Sequence, residues 1–119
     1  MADAEFRIER STRASGDERS VSFDVHVPAN LKYLEGHFPG RPIVPGIAQL
    51  TLVARAARLA WPELGEPSGL RRLKFSRELG PGDHLALELD RTDTDVRFVI
   101  RKEDAECSRG LLAFRNRSA

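Results

Sequence analysis

The chain has 119 residues, with 19 basic side chains against 18 acidic ones, 40% hydrophobic residues and a single cysteine. A chain of this size supports one hydrophobic core and hence one domain, residues 1–119. No apolar run approaches the ~18–20 residues of a membrane span, and no basic stretch leads into an apolar one near Met1; a cytoplasmic location away from membranes is expected.

The lone Cys107 provides neither an internal disulfide nor a zinc cage, so apolar burial must hold the core. Sixteen of the 19 basic residues are Arg, a composition that raises the question of nucleic acid. The acids answer it. Arg71 and Arg72 lie near Glu66 and Glu78, and Arg97 and Arg101 alternate with Asp93, Asp95 and Glu103. No long basic stripe forms, so nucleic-acid binding is not expected, while a patch for an acidic carrier protein remains open.

In chain order, Phe6 and Ile8 alternate with Glu5, Arg7 and Glu9 and predict a short edge strand, followed by the polar loop Ser11 to Ser20. Val21, Phe23, Val25 and Val27 alternate with Ser22, Asp24 and His26, the period of two that marks a half-buried strand. Between Pro28 and Pro45 stand four prolines and two glycines, which exclude both helix and sheet ladder. After Pro45-Gly46 a segment running to Trp61 is broken only by Gln49, Thr51, Arg55 and Arg58. It predicts a helix of about four turns, apolar on most of its circumference, that must be enclosed; Pro62 marks its end.

A turn is expected over Gly65 to Gly69, then strands over Leu70 to Leu79, His84 to Asp90, Val96 to Arg101 and Ala105 to Phe114. Pro81-Gly82-Asp83 and Arg91 to Asp95 supply turns between them. One apolar helix and six antiparallel strands pack most simply as an α+β unit, the curved sheet wrapping the helix. Its uncovered edges and helix face suit a dimer.

The chemistry concentrates in Gly36-His37-Phe38-Pro39-Gly40-Arg41-Pro42-Ile43-Val44-Pro45-Gly46. A proline-braced loop there presents one imidazole just ahead of a helix N-terminus, where free amides and the helix dipole favour developing negative charge. His37 is suited to moving a proton near neutral pH, and the Gly46 amide, with no side chain in the way, to polarising a carbonyl oxygen. His26 falls on the polar face of its strand and His84 follows a turn, so both are expected in solvent. The three histidines lack metal-ligand spacing, and no phosphate-binding glycine motif occurs; neither a metal nor another cofactor is expected.

The run from Gly36 to Leu50 resembles the signature of the 3-hydroxyacyl-[acyl-carrier-protein] dehydratases of the hotdog superfamily, in which His-Phe-Pro-Gly precedes a Pro and then a helix-opening Pro-Gly. Leu73-Lys74-Phe75-Ser76-Arg77 with Pro81-Gly82-Asp83 is similar to a later strand and turn of that family. Ile47-Ala48-Gln49-Leu50 is closest to the small dehydratase-like proteins of aryl polyene pathways. The resemblance implies a hotdog fold, a dimer with sites at its interface, and an acyl chain carried on acyl-carrier protein or coenzyme A. It implies His37 as the base, the Gly46 amide as donor to the thioester oxygen, and Phe38, Pro39, Gly40, Pro45 and Gln49 as substrate-binding residues.

One departure stands out. The family's helix Asp or Glu, fourteen residues beyond the histidine and contributed by the other subunit, is here Thr51. A hydroxyl hydrogen-bonds well but transfers protons poorly at neutral pH. Three readings follow: a dehydratase in which His37 serves as base and acid, with Thr51 and Gln49 holding a water; a catalytically weak subunit that binds acyl-carrier protein or pairs with a complete dehydratase as a heterodimer; or an acyl thioesterase. Glu35, the carboxylate nearest His37 in sequence, is expected in solvent.

Overall fold

The structure is a computed structural model and describes residues 5–11, 19–29 and 44–116. These residues form β1 (Arg7–Arg10), β2 (Ser20–His26), α1 (Gly46–Ala60), β3 (Leu64–Phe75), β4 (His84–Thr92), β5 (Asp95–Lys102) and β6 (Ala105–Asn116). All six strands join one antiparallel sheet in the order β1-β2-β4-β5-β6-β3. The element order is the one that periodicity predicts, and β1 and β3 are the edges.

Alternation decides which face of the sheet meets the helix. Val21, Phe23 and Val25 of β2, Leu85, Leu87 and Leu89 of β4, and Val96, Phe98 and Ile100 of β5 are all buried. They pack around Ala48, Leu52, Val53, Ala56 and Ala57, which line one side of α1 and are themselves buried. The small alanines let the helix approach the sheet. Gly110 of β6 performs the same service within it, because a Cβ there would stand 2.8 Å from the Phe98 ring. Arg55 reaches from the helix to the strand edge, its Nη1 donating to the Phe6 carbonyl at 3.0 Å.

The expected turn over Gly65 to Gly69 is instead the first half of β3, and the strand expected to reach Leu79 ends at Phe75. Register shifts between Leu64, Pro67 and Gly69 let this stretch stay in the sheet. Pro67 has no N–H to give to a ladder, and β3 is an edge strand where that lack is tolerated. Pro81-Gly82-Asp83 does form a turn: Gly82 has φ +85°, and the Asp83 carboxylate accepts from the Gly80 amide at 2.8 Å and from Lys102 at 3.0 Å.

His26 is only half-buried rather than solvated, with its Nδ1 enclosed and without a partner, and its ring centroid lies 4.6 Å from that of His84, its cross-strand neighbour. No helix among the described residues is long and apolar enough to cross a membrane. Among them, no three His, Cys, Asp or Glu side chains gather as metal ligands.

Two predictions follow from the core. Leu52→Ala, at the helix–sheet contact, should cost about 2–5 kcal/mol in urea unfolding, as other buried Leu truncations do; a loss below about 1 kcal/mol would mean that the helix is not enclosed as described. Burial pushes the Cys107 thiol above its ordinary range. The folded protein therefore keeps this proton to higher pH than the unfolded chain, so stability should fall as pH rises past the unfolded thiol value of roughly 8.5. Cys107→Ala should remove that part of the slope.

Candidate active site at the helix N-terminus

The start of α1 is built by Val44 and Pro45. The buried Val44 donates its amide to the Leu79 carbonyl at 2.7 Å, which fixes the helix entrance to the segment between β3 and β4. Pro45 caps the helix with extended backbone, φ −68° and ψ 156°, and its carbonyl accepts from the amides of Ala48 at 3.0 Å and Gln49 at 3.2 Å. No side chain caps the helix and no acidic residue occupies its first turn. Among the described residues nothing accepts from the amides of Gly46 and Ile47. Among the described residues, the positive end of the helix dipole is thus left for an anion or a polarised carbonyl oxygen.

Gly46 has a reason to be glycine. A Cβ on it would lie 2.8 and 2.9 Å from carbons of the Phe75 ring, so this ring rests against the Cα at the mouth of the helix. Phe75 is 45% exposed, a large apolar side chain that forms an open wall beside the amide. Sequence reasoning placed Phe75 in a family-like strand and gave it no site role. Only the approach of β3 to α1 brings it there, and Gly46 was the available signal that something packs closely.

Gln49 is 4% exposed. Its Nε2 donates to the Val44 carbonyl at 3.4 Å, while its Oε1 is enclosed with no partner. A buried amide oxygen without a donor costs about 1–3 kcal/mol, a cost that a substrate or water donor would offset. Thr51 lies elsewhere. Five residues beyond Gly46, it is turned by roughly 140° and raised by about 7.5 Å along the helix. It is exposed, and its hydroxyl donates to the Ile47 carbonyl at 2.9 Å. Pro45, Gly46 and Gln49 therefore gather at the helix start, and Thr51 of the same chain does not join them. His37, Phe38, Pro39 and Gly40, like Glu35, lie outside the described residues.

A helix wrapped by a six-stranded antiparallel sheet in this order is the hotdog fold. Residues 11–111 match the family model described as ApeI-like, ApeI dehydratase. The chain belongs to the ApeI-like dehydratase family. It is 33% identical over 99 residues to the 3-hydroxyacyl-[acyl-carrier-protein] dehydratase FabZ of Natranaerobius thermophilus, covering 77% of this chain and 65% of that one. It is 38% identical over 74 residues to FabZ of Alkaliphilus metalliredigens, covering 56% of this chain and 50% of the relative. The matched region thus spans less than two thirds of these two relatives.

Among solved structures, the dehydratase heterocomplex ApeI:P from Xenorhabdus doucetiae superposes with a TM-score of 0.79 at 24% identity, covering 96% of this chain and 98% of that one. The Streptococcus mutans protein smu.793, bound to acetyl CoA, superposes with a TM-score of 0.66 at 12% identity, covering 92% and 90%. These likenesses show the shared hotdog fold.

The Gly46–Phe75 contact is directly testable. Gly46→Ala should destabilise the protein by about 1–3 kcal/mol through overpacking against the ring. Combining it with Phe75→Leu should recover part of that loss, a positive coupling in a double-mutant cycle; strict additivity would mean that the ring does not rest on Gly46.

Proposed function

We propose that this chain acts on 3-hydroxyacyl thioesters and converts them to trans-2-enoyl thioesters and water. The observation that carries the reading is the start of α1, which no side chain caps and where, among the described residues, nothing accepts from the Gly46 amide beside the Phe75 wall. A thioester carbonyl accepting from that amide would have its α-proton acidified, because the amide and the helix dipole stabilise the enolate-like charge. His37, nine residues before Gly46, is the base that removes the proton. In the same reading the departing hydroxyl receives that proton from the imidazolium, so the elements of water leave and the base is restored. Pro45 forms part of the mouth, Phe38, Pro39 and Gly40 keep the substrate-binding roles that the family resemblance implies, and the Gln49 oxygen accepts from a water or a substrate hydroxyl.

The site is completed by a second copy. Ile47 is 68% exposed on α1, and Leu59, Leu70 and Leu73 are exposed with Phe75 on the helix and the free β3 edge. A strand edge with apolar side chains of this size is a pairing surface. Pairing would bring the partner's helix face, and with it a second Thr51, toward the site. The acyl group is carried by acyl-carrier protein or coenzyme A.

A second reading rests on Thr51. Its proton is committed to the Ile47 carbonyl, so it is poorly placed to supply the acid that dehydration uses. A chain with this defect would serve as the weak partner of a complete dehydratase, an arrangement for which the ApeI:P heterocomplex is a structural precedent.

Purified protein assayed with 3-hydroxyacyl and trans-2-enoyl thioesters, with free thiol followed in parallel, separates the readings. Interconversion should be present and fall about 10²–10⁴-fold in His37→Ala. Thr51→Glu should raise the rate if the rest of the site is intact. Thiol release in place of enoyl formation would make the chain a thioesterase, and silence in both channels would favour the partner-subunit reading.

A further inference from the structure

Two enclosed polar groups near the helix mouth have hydrogen-bonding capacity that the described residues leave unused. Ser108 is fully buried, and its Oγ has no partner among them. It lies on β6, directly across from Phe75 of β3 on one side and from Ile100 of β5 on the other. Directly paired residues share a face of the sheet, and the Phe75 ring rests on Gly46, so the Ser108 hydroxyl is on the helix face, one strand in from that ring. The backbone on both sides of this pair is tied together: the Cys107 carbonyl accepts from the amides of Ser76 at 2.7 Å and Arg77 at 3.2 Å. The second group is Gln49, about 4.5 Å along the helix from Gly46 and about 60° around it. Its amide turns back to the helix start, where Nε2 donates to the Val44 carbonyl at 3.4 Å, and its Oε1 is left enclosed and unpaired.

Alanine at position 108 would fit this apolar row without losing a bond, whereas serine leaves a buried hydroxyl unsatisfied, which destabilises the fold. Local rules broken in this way mark places where a chain uses the group. The two atoms are complementary in kind: the amide oxygen of Gln49 only accepts, and a serine hydroxyl with nothing else to bond has its proton to give. An alcohol needs that combination, since it donates one proton and accepts another. Thr51 does not take part, because its hydroxyl is exposed and bonded to the Ile47 carbonyl. When a thioester carbonyl accepts from the Gly46 amide, C3 of the acyl chain stands two bonds from the carbonyl carbon, so a hydroxyl on C3 stays close to the helix mouth.

We propose that Ser108 is a specificity-determining residue that, together with Gln49, recognises the 3-hydroxyl of the substrate: the Ser108 hydroxyl donates to the hydroxyl oxygen, and the Gln49 oxygen accepts its proton in a hydrogen bond. This role rests on the reading of the chain as acting on 3-hydroxyacyl thioesters, and adds to it the groups that tell such a substrate from its saturated analogue. Phe75, 45% exposed, turns aside to admit the hydroxyl. Before substrate arrives, one enclosed water bonds to the same two atoms. The hydrogen bond from Ser108 is kept as the C3–O bond lengthens, because negative charge grows on that oxygen; Ser108 transfers no proton and so does not replace a helix acid.

The test compares the full chain with its Ser108→Ala, Ser108→Cys and Gln49→Met variants. Calorimetry gives the affinities of two pantetheine amides, one carrying a 3-hydroxyacyl group and the other the saturated acyl group of the same length, in which the amide prevents thiol release. The unaltered chain should bind the 3-hydroxy compound about tenfold or more tightly than the saturated one. Ser108→Ala and Gln49→Met should bring that ratio to within about twofold while affinity for the saturated compound stays the same, and Ser108→Cys, with its weaker donor, should fall between. In dehydration assays kcat/KM should drop about tenfold in Ser108→Ala, yet its Tm should hold or rise, because an unsatisfied hydroxyl has been removed. A preference for the hydroxyl that survives Ser108→Ala would overturn the proposal. So would a preference lost together with a lower Tm and weaker binding of the saturated compound, the pattern of a merely structural serine. If the unaltered chain turns over no thioester, the dehydratase reading fails, and the ratio of affinities still decides whether Ser108 and Gln49 recognise the hydroxyl.

Discussion

The enclosure of α1 is the constraint on which the rest of the molecule depends. A helix with alanine, leucine and valine over most of its surface has no stable existence in water and must be covered. The sheet covers it from β2 to β6 with the inward side chains of alternating strands, and the close approach this needs is met by Ala48, Ala56 and Ala57 on the helix. The coverage stops at the two edge strands. The exposed apolar residues on α1 and β3 lie where it runs out, so this apolar surface is a consequence of the same packing that forms the core.

The position of the helix start follows from that enclosure. Once α1 lies in the sheet, its first turn is fixed by Val44 against Leu79 and by Phe75 against Gly46. A proline cap gives the first amides no side-chain acceptor among the described residues, and no acidic residue stands in the first turn to oppose the dipole. Chemistry at this end needs few residues because the backbone supplies the electrostatics. Thr51 is farther along, on a different side of the helix from Gly46, with its hydroxyl bonded to the Ile47 carbonyl.

The two surfaces of the sheet differ in character. Phe75 and Lys74 are neighbours in sequence and lie on opposite faces, one against Gly46 at the helix mouth and the other across from Arg109 on the outer face. This alternation lets the twelve-residue β3 contribute to both the apolar helix mouth and a charged surface. Even the bulge at Arg72 belongs to this division, since it shifts the register between Arg71 and Lys74.

Much of this was legible in the linear chain. The strands β2, β4, β5 and β6 follow from a period of two, α1 from its apolar length between Pro45 and Pro62, and the helix start from Pro45-Gly46. These are local properties, set by sterics and by which residues avoid water. The turn expected at Gly65 to Gly69 was misread because glycine and proline signal a turn locally, whereas an edge strand tolerates them through bulges that only the pairing with β6 reveals. The contact of Phe75 with Gly46, the enclosure of Gln49 and the row of Lys74 against Arg109 were decided by tertiary structure alone. Each joins residues far apart in sequence, and the physical quantity that selects them is the distance between packed elements, which no local pattern encodes.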